Sequence, residues 1–282
     1  MLTLHNVLAP AKLNLFLHIT GRRDDGYHLL QSVFMLIDWC DTLHFDTRTD
    51  GQLIREDLTV PLPADDLVLR AAKALQSASG TTLGAHIAIE KTIPAQAGMG
   101  GGSSDAASTL LALNRLWQLN WPLHRLLPIG LSLGADVPFF LGGGNAFVEG
   151  VGEQLTPIQT PERWFVLIHP GVSVPTPLIF QSPELTRDSK VVKIADFSDR
   201  LPGFGRNDLQ AVAARAFPPV ADALDWLSHR ADARMTGSGA GVFASFASES
   251  DAAATLQQVP DRWRAWKAKA LALHPMAHLL PS

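Results

Sequence analysis

Between Leu13 and Ile19 the chain reads Leu-Asn-Leu-Phe-Leu-His-Ile, a mainly apolar run that predicts a β-strand, and a charged, glycine-containing turn follows from Gly21 to Gly26. Leu67, Arg70, Ala71, Ala74 and Leu75 recur at intervals of three and four, predicting a half-buried helix over 67–77 capped by Asp65 or Asp66. Alternation from Ala85 to Glu90 predicts another strand, and helical character resumes from Ala106 to Trp117. Further on, the pattern predicts a strand over 164–169, helices over about 208–217 and 220–230, and a strand over 241–246. One more helix and a closing strand marked by Trp266, Ala268 and Ala270 complete the series. Proline and polar residues between Leu155 and Arg163 predict a linker, so residues 1–155 and 164–282 are expected to form two α+β domains.

Composition narrows the class. The 282 residues are 46% hydrophobic and 18% charged, enough apolar material for a core, which excludes disordered, collagenous and coiled-coil chains. A net charge of -4 without a dense Lys/Arg run gives no footprint for nucleic acid or an anionic membrane, leaving a small molecule as the expected partner. The stretch from Trp164 to Pro183 lacks charge but is broken by Pro170, Gly171, Pro175 and Pro177, so no membrane helix is expected there. Cys40 is the lone cysteine, which rules out an internal disulfide and is expected to be a small buried apolar group. With Lys12 and Asn14 where a signal core would run, the expected location is the cytoplasm. His5, His44, His86, His124, His169, His274 and His278 lack paired metal-ligand spacing and are expected to be surface or satisfied side chains.

Chemistry concentrates around Gly98, Gly100, Gly101 and Gly102, which precede Ser103, Ser104, Asp105 and an alanine-rich helical stretch. Without Cβ atoms, backbone N–H groups can approach phosphate oxygens, and a following helix turns its positive end toward them. On this reading a valine at Gly101 obstructs phosphate without disturbing the fold. The plainer alternative is a flexible turn with Ser103 or Ser104 as helix cap. No lysine follows a glycine, so there is no Walker A loop, and Leu119 and Asn120 stand where a Rossmann fold needs an acid.

Four further segments stand out in order: Pro-Ala-Lys-Leu-Asn from Pro10, Asp-Gly-Tyr-His ending at His28, Gly-Ala-Asp-Val-Pro-Phe-Phe from Gly134, and Thr-Gly-Ser-Gly-Ala-Gly-Val-Phe from Thr236. With the glycine segment they resemble the GHMP kinase family from about Ala9 to the closing strand. The resemblance implies a two-domain α+β fold, the N-terminal domain like ribosomal protein S5 domain 2 and the C-terminal one ferredoxin-like. It implies an enzyme that phosphorylates an alcohol with ATP and Mg²⁺, and the Asp-Gly-Tyr-His segment points to a substrate carrying a cytidine diphosphate group.

By the same resemblance Lys12 and Asp136 are the catalytic pair, Asp136 as base or orienting carboxylate; an ordinary salt bridge is the plainer reading of the two. Pro94, Ala95, Gln96, Ala97, Gly98, Met99, Gly100, Gly101, Gly102, Ser103 and Ser104 would bind ATP. Tyr27 and Phe180 would cover the two faces of the base while His28 bonds its edge, Asn14 and Thr176 adding polar contacts. Gly237, Ser238 and Gly239 would form a second backbone nest beside the substrate phosphates. The metal is left to Ser104, Asp105, or water and phosphate alone, and the chain to a monomer or homodimer. The other readings are a GHMP kinase acting on homoserine or mevalonate, and a non-catalytic nucleotide- or RNA-binding module.

Overall fold

The computed structural model describes residues 2–281. Two long strands, β1 (Thr3–Arg22) and β2 (His28–Arg48), form an antiparallel hairpin whose register shifts between Pro10 and Ala11 and between Asn14 and Leu17. The strand expected at Leu13–Ile19 is one part of β1. Its full length escapes the pattern because Pro10, Lys12 and Asn14 interrupt the alternation at the bulged stretch.

The remaining N-terminal strands are β3 (Leu53–Asp57), β4 (Gly84–Glu90), β5 (Ala146–Glu149) and β6 (Gln154–Pro157). Helices α1 (Leu67–Ser79), α2 (Gly101–Leu116), α3 (Leu123–Leu133) and α4 (Val137–Gly142) accompany them. Asp66, the expected cap, accepts from Val68 N at 3.3 Å and Leu69 N at 3.1 Å. The interior of α1 (Val68, Ala71, Ala72, Leu75) packs with Ala106, Leu110 and Leu111 of α2 over Phe34, Leu36 and Phe45 of β2. Helix α3 is absent from the sequence pattern because Pro128 and Gly130 interrupt it, yet Gly130 is where a Cβ would lie 2.7 Å from Leu141. The glycine lets α3 approach α4 closely.

The second half comprises β7 (Trp164–His169), α5 (Thr176–Gln181), α6 (Gln210–Ala216), α7 (Pro218–Ser228), β8 (Ala233–Met235), β9 (Val242–Phe246), α8 (Glu249–Leu256) and β10 (Arg264–Leu271). Helices α6 and α7 are offset slightly from their expected limits, because Pro218 and Pro219 start α7 at its first turn. The closing strand couples the halves. It pairs with β7 from Arg264 to Lys269 and with β2 at Ala270 and Leu271, so one sheet runs β3-β4-β2-β10-β7-β9-β8 through the molecule. The expected linker is also partly strand, since β6 pairs with β5. Among the described residues no helix is long and apolar enough to cross a membrane.

Three polar side chains depart from expectation, the first being His169, expected to be satisfied or on the surface, whose Nε2 is buried without a partner. Cys40 is half-buried rather than a core group, and burial together with Asp38 and Asp41 pushes its thiol up to about 12, which leaves it unreactive. His274, expected to be satisfied or on the surface, is 1% exposed and its Nε2 has no partner, while Nδ1 accepts from Met276 N at 3.1 Å. Burial lowers its pKa to about 4. The unfolded chain protonates this imidazole near pH 6.5 and the folded one only near 4, so its stabilising contribution is whole above 6.5 and declines as pH falls toward 4. The loss reaches at most roughly 3 kcal/mol. Urea titrations between pH 7 and 4 should show that decline, and His274→Asn should flatten it; an unchanged slope in the variant would assign the acid sensitivity elsewhere.

Candidate active site

The glycine segment is clamped between the two halves. Lys12 N donates to Met99 O at 3.0 Å, fixing the segment to β1, while Ala240 N and Gly241 N donate to Gln96 O and Ala97 O at 3.2 and 3.1 Å. Thr236 Oγ1 donates to Gly98 O at 3.2 Å and accepts from Asn14 N at 3.1 Å. Gly98, at φ +74°, lies so close to the Thr236 turn that a Cβ would stand 2.1 Å from Thr236 O. Only glycine passes there.

Gly100, also left-handed at φ 70°, caps α2 without a side-chain hydrogen bond, and the helix begins at Gly101 rather than at the expected Ala106. Ser103 and Ser104 therefore sit in its first turn and are not its cap. The N-terminal end of α2 is left uncapped by side chains and opens on a cavity of ≈ 570 Å³ lined by Pro94–Ser103, Asp66, Lys91 and Asp105. At Gly101, however, a Cβ would point 3.0 Å from Ile93 Cγ2, and Ile93 is buried. Valine at 101 would therefore strain the core, contrary to the expectation that it would act on phosphate alone.

Lys12 and Asp136 meet in a second cavity that adjoins the glycine-lined one. Lys12 is buried, donates to Asn14 Oδ1 at 2.6 Å, and lies 3.5 Å from Asp136 Oδ2 and 4.4 Å from the Phe34 ring centre. Burial lowers its pKa below the ordinary lysine value, against the pull of Asp136. Asp136 precedes α4 and is 31% exposed, so its carboxylate can reach a ligand that Lys12 reaches only with its tip. Both line a cavity of ≈ 600 Å³ shared with Gly98, Gly100, Thr176, Phe180 and Gly237–Gly239. Asn14 lines it too, but both ends of its amide serve the protein: Oδ1 holds Lys12 and Nδ2 donates to Ser32 Oγ at 2.9 Å.

A third cavity, of ≈ 710 Å³, continues from this one past Thr176 and Phe180 to Tyr27, His28, Arg22 and Arg187. Tyr27 is 65% exposed, an aromatic ring free to meet a ligand. Phe180 packs on His28, ring centres 5.1 Å apart, and Thr176 Oγ1 and Ser238 Oγ are hydrogen-bonded at 2.6 Å. The Gly237–Gly239 turn is held by Asn207, whose Nδ2 donates to Met235 O at 2.7 Å and Gly237 O at 2.8 Å. Thr176 lines all three cavities.

Sequence reasoning did not find Asn207, Arg187 or the ion cluster under α2. Lys91 bridges Asp41 and Asp105, and Asp41, fully buried, also accepts from Thr92 N at 2.5 Å and Ile93 N at 2.9 Å. Burial raises the Asp105 pKa in spite of Lys91. Isolated charged residues, one inside β2 and one just past β4, carry no motif, so nothing in the sequence marks Asp41 and Lys91 as partners. Among the described residues there is no group of three or more His, Cys, Asp or Glu arranged to hold a metal. Ser104 Oγ and Asp105 Oδ1 are buried without partners and are donors of the type Mg²⁺ takes, though too few for a protein cage.

A glycine cradle, a lysine–carboxylate pair and an aromatic pocket in one continuous cleft define a small-molecule phosphotransferase. The N-terminal domain of the GHMP kinases matches residues 66–144 and their C-terminal domain residues 192–265, and the chain belongs to this family. Its curated relatives include proteins named 4-diphosphocytidyl-2-C-methyl-D-erythritol kinase. Those of Herminiimonas arsenicoxydans (61% identity, 98% of each chain) and Albidiferax ferrireducens (60%, 98% of this chain and 95% of the relative) align throughout. A crystal structure of 4-(cytidine 5'-diphospho)-2C-methyl-D-erythritol kinase superposes with a TM-score of 0.83 at 33% identity, covering 95% of this chain and 99% of the other. A mevalonate kinase structure shares the fold alone, at TM-score 0.69 and 15% identity.

Proposed function

We propose that the chain transfers the γ-phosphoryl group of ATP to the 2-hydroxyl of 4-diphosphocytidyl-2-C-methyl-D-erythritol, in the cleft between residues 1–155 and 164–282. The observation that supports this is that Lys12 and Asp136 line the middle cavity, which shares Gly98 and Gly100 with the glycine-lined cavity and Thr176 and Phe180 with the aromatic one. Asp136 accepts the hydroxyl proton as the oxygen attacks, and Lys12, fixed by Asn14, offsets the negative charge that gathers there. The uncapped end of α2 and the backbone around Gly98 and Gly100 receive the triphosphate. Mg²⁺, arriving on the nucleotide, would be held on the protein side by Asp105, which lines the glycine-lined cavity, and would neutralise phosphate charge; Ser104, fully buried, lines none of the three cavities. The unpaired Cys40 supports a cytoplasmic setting.

Tyr27 and Phe180 hold the cytosine ring, which predicts the behaviour of Tyr27→Ala: KM for the cytidyl substrate rises roughly ten- to a hundredfold, with KM for ATP little changed. Steady-state kinetics beside a melting curve checks it, and an unchanged KM in a normally folded variant removes Tyr27 from the base pocket. The function itself is tested by ATP consumption with the cytidyl diphosphate alcohol, homoserine and mevalonate as competing acceptors. Turnover confined to the first supports the reading; turnover with either of the others, and none with the first, overturns it.

A further inference from the structure

Arg187 is held by three backbone carbonyls at the end of α5: Nη2 donates to Phe180 O at 3.0 Å and Ser182 O at 2.7 Å, and Nη1 to Leu185 O at 3.0 Å. With the guanidinium plane so fixed, its Nε–H has one direction left, and it donates to His28 Nε2 at 3.0 Å. A nitrogen that accepts from arginine, which never gives up its proton, cannot carry a proton itself. The neutral imidazole must then carry its proton on Nδ1, which has no partner among the described residues and belongs to a side chain lining the Tyr27 cavity.

The geometry points to Arg187 as a positioning residue that locks His28 in the Nδ1–H form, so that the pocket presents a donor to the base and selects cytosine over uracil. Cytosine offers a bare acceptor at N3 where uracil carries an N–H, so a fixed donor pairs with the first and collides with the second. A freely exchanging imidazole could turn an acceptor to uracil; an arginine-locked one cannot. Burial, with Arg187 and Arg22 close by, also lowers the pKa of His28, which keeps the ring neutral. The inference rests on the cytidyl reading of the cleft, and the experiment separates the two.

Imidazole ¹⁵N spectra of the full-length, ligand-free chain, assigned with His28→Asn, report the tautomer directly. Wild type should show a protonated Nδ1 and a bare Nε2 at His28, and Arg187→Met should shift the signals toward a mixture. In kinetics, Arg187→Met should raise KM for the cytidyl substrate about tenfold with kcat nearly unchanged, and lower its preference over the uridine diphosphate counterpart. In a His28→Asn background the same change should leave that preference where it was. Should methionine at 187 prevent folding, Arg187→Lys carries the same readouts, keeping the charge without the fork. A protonated Nε2 in wild type, or an unaltered cytidyl preference in the Arg187 variant, overturns the proposal. If His28→Asn alone leaves the preference unchanged, the base-recognition reading falls, while the ¹⁵N spectra still decide what Arg187 does.

Discussion

Asp136→Asn lowers turnover by about 10²- to 10⁴-fold, the range expected for loss of a positioned acid–base group, while affinity for a non-hydrolysable ATP analogue changes little. Asparagine keeps the shape but cannot take a proton, and it withdraws the only carboxylate within salt-bridge distance of Lys12 among the described residues. Burial already holds Lys12 below the ordinary lysine value and Asp136 opposes that, so the variant's lysine should lose its proton at still lower pH. The residual activity should accordingly decline at lower pH than the same limb in wild type. Near-normal turnover would reject Asp136 as the proton acceptor; a proportional loss of ATP affinity would reject its confinement to the acceptor side.

Lys91→Met should cost about 3–5 kcal/mol of stability, since it leaves the carboxylates of Asp41 and Asp105 buried together without their cation. For a chain of this size that is a fall in melting temperature of order 10 °C. Adding Asp105→Asn should recover part of the loss, because burial disfavours that carboxylate's charge in the first place. Scanning calorimetry of the single and double variants reads both effects. A single variant melting within a degree or so of wild type would mean that the cluster is spectator chemistry.

The sequence reveals helices best where one face alone is buried, as in α1, whose cap Asp66 stands where the pattern puts it, although the buried stripe is Val68, Ala71, Ala72 and Leu75 and takes only Ala71 and Leu75 from the expected one, with Arg70 exposed. It fails where residues are chosen by the site. Lys12, Asn14 and Pro10 disguise a twenty-residue strand as a short one, and the glycines at 100–102 read as loop although α2 starts among them. Pro128 and Gly130 hide α3, because close packing on α4 outweighs their poor helix propensity. The resemblance to the GHMP kinases led to Lys12, Asp136, Gly98, Tyr27 and Thr176, which line the same run of cavities. It missed Asn207, Arg187 and Lys91, whose roles come from contacts with residues distant in sequence, which no local pattern encodes.

Strand β10 lies in the middle of the sheet, between β2 and β7, although it is the last strand along the chain. During synthesis Lys12 and Asp136 are therefore made well before β10, and until β10 is made β2 lacks the strand that pairs with it at Leu36 and Ile37, Leu36 N having only the Asn145 side chain to bond on that side. A product truncated before β10 would then carry Lys12 and Asp136 on an unfinished sheet edge, prone to strand-pair with its neighbours. The chain order thus places the strand that joins the two halves after every other strand of the sheet.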